Sequence, residues 1–119
     1  IVVAVDLNAE SKALIGQSEF DNMQPHAIFV TIARGSVVDQ QALIATLKAG
    51  KIFAAGLDVY AKEPLQDSEL FHFDNVVTLP HVGSATAETR KKMAELAYRN
   101  VVDVLEGRTP PYIVNPVFS

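Results

Sequence analysis

The sequence has no cysteine, which excludes disulfide bonds and thiol chemistry. It has no basic cluster: Lys and Arg total 10 against 14 Asp and Glu, a formal net charge of −4. The electrostatic footprint of a nucleic-acid-binding protein is therefore missing, and no nucleic-acid partner is expected. No apolar run approaches the roughly 18 residues that a membrane span needs, so no membrane partner is expected either. The first residues, Ile1-Val2-Val3-Ala4-Val5, lack the basic lead-in of a signal peptide. His26, His72 and His81 stand too far apart for metal-ligand spacing, so no metal is expected. There is no internal repeat and no low-complexity segment. A cytoplasmic globular protein is the expectation. The sequence also has no initiator Met and opens inside a strand-like run. It is expected to be a piece of a longer protein.

What is present suits a packed core. About half of the 119 residues are apolar, enough for one domain of ordinary size. Residues 1–5 read as a strand ending at Asp6. Residues 7–16 read as irregular, with Leu14 and Ile15 turned inward, and Ser18 reads as the cap of a short helix stopped by Pro25. Residues 27–33 form a second apolar run. Asp39 is a good N-cap for a helix over residues 40–49, with Ala42, Leu43, Ile44 and Leu47 inward and Gly50 closing it. Residues 53–57 and 76–79 read as a third and a fourth strand, with Ser68 capping a turn between them. Residues 87–106 read as a long helix capped by Ser84 or Thr86. In it Met93, Leu96, Ala97, Val101, Val104 and Leu105 are spaced by threes and fours to give one buried stripe. Gly107 ends it, and Pro110-Pro111 prevents its continuation. The tail, Tyr112 to Ser119, reads as extended and packed against something.

Strands buried on both faces and alternating with helices imply an α/β fold with a parallel sheet and right-handed crossovers. Four polar residues then share one rim: Asp6, Arg34, Asp58 and His81, each at or near the C-terminal end of its strand. Ligands of open α/β sheets bind in the crevice outside those ends. Pro80 helps to end the last strand, and Gly83 permits a turn or a close approach.

His81 by itself reads in two ways. It is a loop histidine satisfied by a backbone carbonyl, or it is an acid–base group, being the rim residue that titrates near neutrality. Glu63 is a candidate partner, because a carboxylate on one ring nitrogen fixes the tautomer and stabilises an imidazolium. Arg34 offers a planar fork of donors suited to a carboxylate. An arginine with a His–carboxylate pair fits a substrate that carries an acid group beside a carbonyl.

Four ordered segments carry a resemblance: Ile32-Ala33-Arg34-Gly35 with Val37-Val38-Asp39, Ala55-Gly56-Leu57-Asp58-Val59, Glu63-Pro64-Leu65, and Pro80-His81-Val82-Gly83-Ser84-Ala85-Thr86. Over about residues 14–107 the chain resembles the C-terminal part of the D-isomer-specific 2-hydroxyacid dehydrogenases. The Gly83–Thr86 run with Glu88-Thr89-Arg90 is most similar to the glyoxylate/hydroxypyruvate and 2-ketogluconate reductase branch. The resemblance implies the C-terminal half of a Rossmann-type NAD(P)-binding domain over residues 1–107, with a long C-terminal helix. Residues 108–119 would be a tail returning to a substrate-binding domain. It implies NAD or NADP as cofactor, a small 2-keto or 2-hydroxy acid as substrate, and a homodimer in the intact protein. Arg34, Glu63 and His81 would be catalytic: Arg34 binding the substrate, Glu63 orienting His81, and His81 protonating the carbonyl oxygen. Ile32, Ala33, Arg34, Asp58, His81 and Gly83 would contact the cofactor, with Asp58 on the nicotinamide carboxamide.

Two departures from the family pattern stand out. After the first strand the family has a Cys/Ala-Pro-Leu-Thr turn, where this chain has Val5-Asp6-Leu7-Asn8. There is also no Gly-x-Gly-x-x-Gly, so the pyrophosphate-binding turn is expected upstream of Ile1. The isolated chain is therefore expected to be inactive. A regulatory NAD-binding protein of the corepressor kind, on the same fold, is the alternative reading; it keeps the same Arg, Glu and His.

Overall fold

A computed structural model describes residues 1–114, in two compact units, Ile1–Gly83 and Ser84 onward. The first unit is built on a four-stranded sheet. The strands are β1 (Val2–Val3), β2 (Ile28–Thr31), β3 (Ala54–Leu57) and β4 (Val76–Thr78). They lie side by side in chain order, and every neighbouring pair is parallel. Parallel neighbours need crossovers. The first two carry helices α1 (Gln17–Asp21) and α2 (Gln40–Lys48), and the third carries a 3₁₀ turn, Glu69–His72.

Local chemistry sets the element ends. The Asp39 carboxylate accepts from the N–H groups of Gln41 and Ala42 at 3.0 and 3.1 Å, two of the donors that a helix start leaves unpaired. The far end closes on Gly50, whose φ of 62° suits glycine. Ser68 Oγ accepts from Leu70 N–H at 3.2 Å and starts the 3₁₀ turn. The expectation for Ser18 is corrected. It lies inside α1, which begins after Gly16, and the Gly16 N–H donates to Glu19 Oε2 at 2.8 Å. Asn22 caps that helix before Pro25 is reached.

The strand register explains the core. Phe29, Ala55 and Val76 are paired across the sheet, as are Thr31, Leu57 and Thr78. Their side chains share one face, because side chains alternate along a strand. That face packs on Phe20 of α1 and on Leu43 and Leu47 of α2. Phe20 and Phe29 meet edge to face, with ring centroids 5.2 Å apart. Removing such side chains from water is worth about 1.5–3 kcal/mol each.

The expectation that the strands are buried on both faces is therefore corrected. Ile28, Val2 and Val77 sit on the opposite face and are 50, 66 and 62 % exposed. Continuous apolar composition marks a strand built for two covered faces, but α1 and α2 cover only one. The segment before α1 also differs in part. Leu14 is exposed, while Ile15 packs on the core and forms an isolated parallel bridge with Val38.

In the second unit α3 runs Ala87–Leu105. Thr86, rather than Ser84, is its cap: Oγ1 accepts from Thr89 N–H at 3.2 Å. Gly107 follows with φ 70°. Asp103 is buried and accepts from Arg108 Nε at 2.9 Å. The stripe expected to be buried is exposed: Met93, Leu96, Ala97, Val101, Val104 and Leu105 all face solvent. Helical spacing identifies a face suited to burial, and residues 84–114 hold nothing that covers it. Tyr112 and Val114 are also exposed. The rest of the expected packed tail, residues 115–119, lies outside the described residues. Among the described residues no helix is long and apolar enough to cross a membrane.

Candidate active site

The rim expected from the sequence exists, set slightly farther out than the strand ends. Asp58 follows β3 directly, whereas Asp6, Arg34 and His81 stand three residues beyond Val3, Thr31 and Thr78. The ladders stop early, and short extended linkers carry these side chains outward.

Glu63 and His81 are brought together across 18 residues of sequence. His81 Nδ1 lies 2.7 Å from Glu63 Oε2. The second carboxylate oxygen, Oε1, accepts the backbone N–H of Tyr60 at 3.1 Å. The Glu63 carboxyl is held below its ordinary pKa, first by the bond to His81. The Tyr60 N–H and the nearby charges of His81 and Arg34 add to this, and burial opposes it. An ionised carboxylate only accepts, so Nδ1 carries its proton and Nε2 is the ring nitrogen left for another group. The pair borders a cavity of about 490 Å³ whose wall includes Tyr60, Leu65, Phe71 and Leu79.

The loop that presents His81 is tightly held. His81 has φ 55°, a left-handed conformation that side chains other than glycine seldom adopt. Just after it, Val82 N–H and Gly83 N–H donate to the two oxygens of Asp58 at 2.7 and 2.8 Å. Asp58 is 5 % exposed, so these charge-assisted bonds satisfy a nearly buried carboxylate. A Cβ on Gly83 would lie 3.2 Å from Asp58 Oδ2, which leaves little room for a larger residue.

Arg34, Ala33 and Ile32 line a different cavity, of about 540 Å³, together with Ala4, Val5, Asp6 and Leu7. The Arg34 guanidinium is tied by Nη1 to the Ala33 carbonyl at 2.7 Å. The expected residues are thus split between two hollows of one sheet edge. Glu63 and His81 border one; Ile32, Ala33 and Arg34 border the other. Asp58 and Gly83 brace the loop that bears His81.

Residues 1–83 match the family described as D-isomer specific 2-hydroxyacid dehydrogenase, NAD binding domain. The chain belongs to this family. As an NAD-binding domain of the D-isomer-specific 2-hydroxyacid dehydrogenases, it is 50% identical over 115 residues to a glyoxylate reductase of Pyrococcus furiosus, covering 97% of this chain and 34% of that protein. It superposes with a TM-score of 0.90 and 41% identity on the structure of a Thermus thermophilus protein, covering 96% of this chain and 37% of the other. A second similar structure is the NADPH-dependent glyoxylate/hydroxypyruvate reductase of Sinorhizobium meliloti in complex with NADP and malonate. It has a TM-score of 0.83 and 35% identity, covering 87% of this chain and 33% of that one. The chain spans about a third of the length of the curated relatives it matches.

Sequence reasoning missed two residues of the site. Tyr60 binds Glu63 through its N–H, and its hydroxyl lies 2.8 Å from the Leu79 carbonyl. An aromatic residue two positions past Asp58 was the available signal, but it reads equally as core. Gly35 stood inside a matched segment without a stated reason. A Cβ there would fall 1.8 Å from the Tyr60 carbonyl oxygen, so two backbones touch at this point.

Proposed function

We propose that the full-length protein reduces a small 2-keto acid, of the glyoxylate, hydroxypyruvate or 2-ketogluconate type, to the D-2-hydroxy acid with NADH or NADPH. The observation that carries this reading is the 2.7 Å Glu63–His81 pair at the mouth of a cavity. The residues present fit a nicotinamide: the groove at the ends of β1 and β2, along Ile32, Ala33 and Arg34, is open, and Gly83 leaves the approach beside Asp58 without a side chain. When bound, the reduced nicotinamide supplies the hydride.

The chain's own residues handle charge and protons. Arg34 would receive the substrate carboxylate on its guanidinium fork, in place of the Ala33 carbonyl it now faces. His81, protonated on both nitrogens, would point Nε2–H at the substrate carbonyl oxygen. As that oxygen gains negative charge, His81 delivers the Nε2 proton and keeps its Nδ1 proton, which it donates in a hydrogen bond to Glu63. Glu63 stays ionised throughout and balances the imidazolium of the resting enzyme. Asp58 has used two of about four acceptor sites on the loop N–H groups, and the others would accept from a carboxamide. On this reading residues 1–107 serve as the C-terminal half of the NAD(P)-binding domain, and the tail from residue 108 leads back to a substrate-binding domain.

The test is NAD(P)H oxidation by the full-length protein with glyoxylate, hydroxypyruvate and 2-ketogluconate. His81→Ala is expected to lower kcat/KM by about 10²–10⁴-fold, the usual range for a positioned acid. No turnover of any of the three by the wild type would overturn the activity. Wild-type turnover by His81→Ala would overturn the proton donor.

A further inference from the structure

We propose that Tyr60 is the positioning residue of the Glu63–His81 pair, its backbone N–H fixing the carboxylate and its hydroxyl fixing the segment that carries the imidazole. This rests on the acid–base reading above. Tyr60 is 7 % exposed at the end of β3. Its hydroxyl lies 2.8 Å from the Leu79 carbonyl and 3.0 Å from the Leu57 carbonyl. One O–H has a single proton to donate. The Leu79 carbonyl is the nearer of the two, and the phenol proton is directed to it. Burial, the largest influence on the phenol, raises its pKa, so it remains a donor at any pH where His81 works.

The importance of that bond follows from the residues after it. Pro80 has no N–H to anchor the chain. His81 then adopts its left-handed turn, which persists only where the surroundings over-determine it. Downstream, Asp58 grips two N–H groups. Upstream, the tyrosine hydroxyl on Leu79 is the nearest side-chain tie. The ring nitrogen is therefore bracketed, and the same tyrosine sets the carboxylate it meets. A phenylalanine would fill the space and keep the N–H, so the hydroxyl is what distinguishes positioning from packing.

The experiment is Tyr60→Phe in the full-length enzyme, with His81→Ala alongside. Loss of one directed hydrogen bond is expected to lower kcat for keto-acid reduction by about 3–10-fold, with KM little changed. As the Glu63–His81 contact loosens, the upper limb of the pH profile of kcat/KM should move to lower pH. Wild-type kcat and an unmoved limb would overturn the positioning role, even if the melting temperature fell. If His81→Ala loses turnover while Tyr60→Phe behaves as wild type, only the tyrosine assignment fails. If His81→Ala keeps turnover, the underlying acid–base reading fails. Should the phenylalanine variant not fold, Tyr60→Met is read by the same two measurements.

Discussion

Replacing Glu63 by glutamine would keep the shape of the side chain and remove its charge. The structure permits an estimate of the effect. At the observed 2.7 Å, two unit charges in water attract by about 1.5 kcal/mol. Both side chains are partly open, 43% exposed for His81 and 35% for Glu63, so solvent screening reduces the useful part. The pair is therefore worth at most about 1 kcal/mol, the upper end for exposed pairs. The sign follows from the charges. On the proposed reading His81 starts as an imidazolium, and Glu63 is ionised because His81, the Tyr60 N–H and Arg34 hold its carboxyl below the ordinary value. Without the carboxylate the imidazolium loses its counter-charge and gives up its proton at lower pH. The upper limb of kcat/KM against pH, which reports the free enzyme, should move to lower pH. The assay is initial-rate NAD(P)H oxidation by the full-length protein across the pH range. A limb that stays in place or moves up would refute the pairing, and another carboxylate would have to be sought.

Two further outcomes are expected. Arg34→Lys keeps the charge but not the planar fork, so kcat/KM for the keto acid should fall by about 10-fold or more, the loss of a charge-assisted hydrogen bond; unchanged kcat/KM would remove Arg34 from substrate binding. Gly35→Ala places a methyl 1.8 Å from the Tyr60 carbonyl oxygen. The neighbour is backbone and cannot rotate away, so stability should fall by at least the about 1–3 kcal/mol typical of overpacking, seen as a lower midpoint in denaturant.

The sheet and its polar rim were legible because runs such as Phe29-Val30-Thr31 and Ala55-Gly56-Leu57 are short and each ends at a polar residue. The α2 core face was legible from spacing alone: Ala42, Leu43, Ile44 and Leu47 are all buried. Burial on the second sheet face was not. Val77 and Ile28 carry the same composition whether or not a layer covers them, so their sequence reports suitability for burial and not its occurrence. The α3 stripe misleads for the same reason. At the site, the Glu63–His81 pairing was legible through residue chemistry. Tyr60 was hidden because its role lies in a backbone N–H, which every residue but proline possesses, and in a hydroxyl whose acceptor, Leu79, is 19 residues away. Gly35 was hidden because an absent side chain leaves no trace of what it makes room for.

The contact between Gly35 and Tyr60 links two tasks that would otherwise be independent. The turn after β2 presents Arg34, which on the proposed reading would receive the acid group of the substrate. The turn after β3 leads to Glu63, which on the same reading would tune the proton donor. No side chain separates them at the contact, so neither turn can shift without displacing the other. On that reading, a change that widens the arginine's turn for a bulkier keto acid would also disturb proton delivery. Specificity and chemistry would then be geared together, and a variant selected for one would need compensation in the other.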